Sequence, residues 1–122
     1  MDDADAPSGQ GRLGPVIAAA DAGSNSVHLL VARLAAGAPG RDLHVLADES
    51  DFLGLGAAAD RGWLGAELRG RLLGSLAGHV ERARSFGAEP VVLVGTEPLR
   101  RAADAARVVV EVERTCSVPF FV

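Results

Sequence analysis

The sequence predicts an α/β domain built on a mixed sheet, with elements in the order β-β-β-α-β-α-β, an antiparallel meander leading into parallel strands. Three observations predict it. Apolar runs of strand length follow one another between Val16 and Phe52, joined by short polar connections, as antiparallel neighbours allow. From Leu64 to Phe86 the apolar spacing becomes helical. Two later apolar runs, Val91 to Val94 and Val118 to Val122, are separated by a helix-length segment, as parallel strands with a crossover require.

Val16 to Ala20 is a continuous apolar run, the pattern of a strand buried on both faces. Asp21 to Ser26 forms a polar turn, and Val27 to Leu34 reads as the second strand. Ala36 to Gly40 carries Gly, Pro and Gly, a turn signal. The third strand opens at Leu43 and runs towards Phe52. Leu53 to Gly56 reads as a loop, continued by an Ala-rich stretch to Gly62. Trp63 is expected to pack at the entrance of the helix that follows. In that helix Leu64, Leu68, Leu72, Leu73, Leu76, Val80, Ala83 and Phe86 share about half of the helical wheel. Arg69 falls close to this apolar arc, out of pattern. Gly87 stands where a left-handed cap ends a helix. Gly65, Gly70, Gly74 and Gly78 each cost up to about 1 kcal/mol in a helix interior, so the helix depends on packing. After the strand Val91 to Val94, Gly95 to Pro98 ends the run. Asp104 is the expected N-cap of a second helix reaching about Thr115.

The chain has 122 residues, 48% hydrophobic and 23% charged, with a formal net charge of −4. This length suits one domain, and the acidic balance argues against a nucleic-acid partner, which usually meets a basic face. Every one of the 12 basic side chains is Arg. The lone Cys116 cannot form an intrachain disulfide, which fits a reducing, cytoplasmic location. His28, His44 and His79 show no zinc spacing; His28 and Cys116 read as structural residues. No run is long enough to span a membrane. Met1 to Gly14 is acidic and Gly-rich and reads as a flexible tail, leaving 15–122 as the folded lobe. The apolar end Phe120-Phe121-Val122 reads as a cut through a longer protein.

The candidate chemistry lies in Asp21-Ala22-Gly23-Ser24-Asn25-Ser26. A tight turn between strands aims several backbone N–H groups at one point and binds phosphate oxygens without a cationic side chain. Gly23 is expected to supply unusual dihedrals and close approach. Ser24, Asn25 and Ser26 add side-chain donors. Asp21, at the end of a strand, offers Mg²⁺ a hard oxygen ligand.

These residues resemble a known family, the exopolyphosphatases and guanosine pentaphosphate phosphohydrolases of the Ppx/GppA type, within the actin-like (ASKHA) superfamily and its ribonuclease-H-like fold. Asp21 to Ala32 is similar to the family's Asp-x-Gly-Ser-Asn-Ser turn and following strand. Leu53-Gly54-Leu55-Gly56 and Gly62-Trp63-Leu64 resemble its next segments, and Gly95 to Asp104 resembles its third. The resemblance runs from about Pro15 to Val122. It implies an N-terminal lobe of a two-lobed enzyme that releases terminal phosphate from inorganic polyphosphate or pppGpp with Mg²⁺. It places Asp21 near the metal, Gly23 to Ser26 around phosphate, and Thr96 and Arg100 on the cleft wall. Glu97 and Pro98 depart from the small residues usual in the third segment. The family's Glu base and its second phosphate loop have no counterpart before Val122, so the isolated chain is expected to have no turnover, and self-association is a further expectation. Two other readings stay open: a non-catalytic polyphosphate or alarmone-binding module, and a lobe of a sugar or acetate kinase of the same superfamily. A dinucleotide-binding domain is disfavoured, because no G-x-G-x-x-G follows the first strand.

Overall fold

The computed structural model describes residues 13–35 and 43–122. The predicted tail up to residue 12 and the turn signal at Ala36 to Gly40 lie outside the described residues. Strand β1 spans Leu13–Ala22, β2 Ser26–Ala35 and β3 Leu43–Phe52. Helix α1 (Leu55–Asp60) and helix α2 (Ala66–Ser85) follow, then β4 (Val91–Gly95), α3 (Glu97–Arg101), α4 (Ala105–Cys116) and β5 (Phe120–Phe121). The strands form one sheet in the order β3-β2-β1-β4-β5. β1–β2 and β2–β3 are antiparallel, while β1–β4 and β4–β5 are parallel. The expected meander with parallel continuation is therefore present, and β1 is its central strand.

Two elements were not expected. Leu55 to Asp60, read as loop and Ala-rich stretch, is a short helix, and Glu97 to Arg101 is another, with Thr96 as its N-cap. Each is under two turns, too short for a repeating apolar face to be visible. β1 begins at Leu13, two residues before the expected start of the lobe.

The core lies between the sheet and α2 with α4. Ala18, Ala20 and Ala22 of β1, Val27, Leu29 and Val31 of β2, and Leu93 of β4 are buried, together with Leu72, Leu76, Val80 and Ala83 of α2 and Val108 and Val112 of α4. Small residues on β1 let the helices approach the sheet. The expectation that β1 is buried on both faces is corrected: Ala19 and Asp21 are exposed, and only the alternate residues are covered. The apolar run reflects the small side chains of this strand, not a second covering layer. Among the described residues no helix is long and apolar enough to cross a membrane.

The edge strand β3 is pinned to α2 by polar pairs. Glu49 meets Arg82 at 3.0 Å, Ser75 Oγ donates to Asp51 at 2.6 Å, and the buried His79 Nε2 lies 3.2 Å from the same carboxylate. Despite that closeness, His79 Nε2 makes no hydrogen bond among the described residues. α2 ends as expected, with Phe86 as C-cap and Gly87 at φ 78°.

Candidate functional site

The turn between β1 and β2 is three residues long, Gly23 to Asn25, closed by the Gly23 N–H donating to the Ser26 carbonyl at 3.0 Å. The remaining backbone groups can be accounted for one by one. The Asn25 carbonyl accepts from the N–H groups of Leu53 and Gly54 at 2.9 and 3.0 Å, and the Ser24 carbonyl accepts from Gly56 at 2.8 Å. The Leu53 to Gly56 segment therefore forms the floor on which the turn rests. The N–H groups of Ser24 and Asn25 have no partner among the described residues, and neither do the side chains of Ser24, Asn25 and Ser26. Ser24 and Asn25 are exposed. What remains is a set of unsatisfied donors at one end of the sheet, the arrangement that suits an anion.

Gly56 is the glycine packed closest to the turn. A Cβ there would stand 3.0 Å from Ser24 Cβ and 3.1 Å from its Oγ, so Ser24 would have to give by a few tenths of an ångström. Gly23 behaves otherwise than expected. Its φ is not in the left-handed region, and a Cβ would meet only the Ser26 carbonyl oxygen at 3.5 Å, an ordinary contact. The turn closes without special dihedrals at Gly23; the left-handed glycine is Gly54 of the floor segment, at φ 75°.

Thr96 caps the neighbouring strand end. Its N–H and its Oγ both donate to the Ala22 carbonyl, at 3.1 and 3.0 Å. The parallel pairing of Ala22 with Gly95 brings Thr96 there. Its hydroxyl proton is thus committed to the backbone, and Thr96 fixes the position of the turn relative to β4. Arg100 is exposed on α3 and lines a cavity of ≈400 Å³ with Ala103, Ala106, Val110 and Val122. No hydrogen bond among the described residues joins it to the turn. Its neighbour Arg101 pairs with Glu97 and with Asp60 of α1, so the Glu97 carboxylate is neutralised locally.

Asp21 pairs with His28 across β1–β2 and with Val94 across β1–β4. Its backbone is fixed on both sides, while its side chain is exposed on the sheet face away from α2. His28 on that face is paired with Asp48 of β3. Among the described residues no group of three or more His, Cys, Asp or Glu could hold a metal ion. A protein cage is thus not available. A single carboxylate beside anion donors does fit Mg²⁺, which commonly takes one or two carboxylates and completes its shell with water and substrate phosphates.

Asp104 has a role that sequence reasoning misplaced. It stands before α4, but makes no side-chain cap there. Its carboxylate accepts instead from the N–H of Leu64 at 2.7 Å and of Gly65 at 2.9 Å, and from Arg69. It therefore clamps the Leu64–Gly65 turn that leads into α2, and explains why Arg69 falls out of the apolar pattern. Burial pushes its pKa up, but the Leu64 and Gly65 N–H groups and the Arg69 guanidinium outweigh this and hold it at about 2. Cys116 is buried, and burial raises its thiol pKa despite the nearby Arg84, which makes it an inert packing residue. Trp63, expected to pack at the start of α2, is 59% exposed.

No protein-family model matches the sequence, and no curated protein matches it. Solved structures do. A Ppx/GppA family member from Aquifex aeolicus superposes with a TM-score of 0.78 at 25% identity, over 88% of this chain and 34% of its own. A structure of the Aquifex aeolicus PPX-GPPA enzyme gives 0.77 at 26% identity, over 88% and 35%. An exopolyphosphatase from Cytophaga hutchinsonii gives 0.76 at 22% identity, over 86% and 33%, a likeness of fold. The chain spans about a third of the length of these proteins.

Proposed function

We propose that this chain, which has the fold of the N-terminal lobe of the Ppx/GppA family, binds the terminal phosphates of inorganic polyphosphate or of guanosine pentaphosphate at the Gly23 to Ser26 turn. The observation that carries the reading is the accounting of the turn. Its Ser24 and Asn25 carbonyls are used by the floor segment, while two N–H groups and two hydroxyls are left without partners. Fixed dipoles of this kind stabilise an anion without reorganising as it arrives. The likeness to phosphohydrolases supports phosphate as that anion.

Within this reading Gly23 to Ser26 cradle the phosphate, and Thr96 holds the turn against β4. Asp21 would hold Mg²⁺, whose charge would offset that of the phosphates. Arg100 remains a candidate phosphate contact through its planar fork. Hydrolysis belongs to the proposal for a whole two-lobed protein; the activity expected of these 122 residues is binding.

Isothermal titration with inorganic tripolyphosphate and Mg²⁺ tests this. The wild-type chain binds, and the Ser24→Asp Ser26→Asp variant, which puts two carboxylates where the anion sits, loses binding at least tenfold. Equal affinity in both proteins would remove the turn from the site.

A further inference from the structure

We infer that the loop Arg61 to Gly65 presents Trp63 as a stacking platform for the base of a nucleotide whose phosphates lie at the Gly23 to Ser26 turn. This deepens the proposed function, on which it rests, by assigning the substrate class as nucleotide in preference to bare polyphosphate.

The loop is held more firmly than its exposure suggests. Gly62 and Gly65 adopt φ of 103° and 92° and give it its shape. The Ala103 N–H donates to the Gly62 carbonyl at 2.9 Å, and Asp104 takes the N–H groups of both Leu64 and Gly65. Leu64 is buried beneath. Yet the largest side chain of this clamped loop stands in solvent. With the backbone of the loop already held, a flat ring stacking on the indole has only the side chain left to order.

The surroundings specify the ring. Trp63 lines an open cavity of ≈520 Å³ with Arg61, Arg71, Glu67, Leu53 and Gly54. Leu53 and Gly54 are the residues whose N–H groups hold the Asn25 carbonyl, so the cavity and the phosphate turn share a wall. Arg61 has no ion-pair partner among the described residues and can meet the acceptor edge of a purine. Arg71 and Glu67 add a second donor and an acceptor in the same space. The indole face is what selects a flat ring over a bare phosphate chain.

The protein reports on the site itself, because Trp63 is its single Trp and it has no Tyr. GTP and inorganic tripolyphosphate are titrated into the 122-residue chain, by fluorescence and by calorimetry. GTP is expected to change Trp63 emission and to bind about tenfold tighter than tripolyphosphate, the range for a base stacked on an aromatic side chain. Trp63→Leu, with its fold checked by circular dichroism, is expected to lose that advantage. If both ligands bind equally and emission is unchanged, the platform is wrong and the phosphate turn stands. If neither binds, the phosphate turn falls and the platform with it. An emission change by GTP that persists in the Ser24→Asp Ser26→Asp variant would break the link between the two.

Discussion

One carboxylate joins three parts of the chain. Asp104 sits at 8% exposure and accepts from two backbone N–H groups ahead of α2 and from Arg69 within it. Its pKa falls from an ordinary 3.8 to about 2, which corresponds to roughly 2 kcal/mol of stability. A depressed carboxylate pKa stabilises the fold fully above the ordinary value. That contribution is lost as pH drops through about 2. Asp104→Asn should therefore cost about 2 kcal/mol at neutral pH, measured by urea unfolding. The gap to wild type should narrow between pH 4 and pH 2. The Asp was legible as a helix cap, since it stands one residue before a helical pattern. That its carboxylate holds the turn ahead of α2 was not legible, because the partner lies about 40 positions away in sequence. Arg69 was the available clue: a charge on an apolar arc needs a counter-charge.

At the scale of elements, α2 shows packing overriding propensity. Leu72, Leu76, Val80 and Ala83 are buried as the periodicity indicated. Gly70, Gly74 and Gly78 lie on its exposed side, and a Cβ at any of them would meet nothing within 4 Å. Replacing all three by Ala should raise stability by about 2 kcal/mol, visible as a higher Tm with unchanged phosphate binding. The long helix and the four longer strands were legible because each repeats its pattern several times. The helices α1 and α3 were not, since six and five residues contain too few repeats. The role of Leu53 to Gly56 as the floor of the turn was visible only as a pair of glycines. One of these, Gly56, packs tightly against Ser24.

The whole molecule is a sheet with helices packed on one face. The other face combines Ile17, Ala19, Leu30, Ala32 and Val92, which line an apolar cavity of ≈200 Å³ with Leu43 and Pro90, with Asp21, His28 and Asp48 nearer the turn. Alternation along β1 would have revealed this, had its inward positions not also been alanines. The order of strands, the turn at the end of the central strand, and its likeness to one third of a larger fold form a consistent set. The proposed phosphate site lies at this end of the sheet, and the net charge of −4 leaves its attraction for an anion to local dipoles.

The most direct test is a ¹H–¹⁵N NMR titration of the labelled chain with inorganic tripolyphosphate. The largest amide shifts are expected on Ser24 and Asn25, with smaller ones at Gly23, Ser26 and the floor residues Leu53 to Gly56. Largest shifts elsewhere, or none at millimolar ligand, would contradict a phosphate site at the turn.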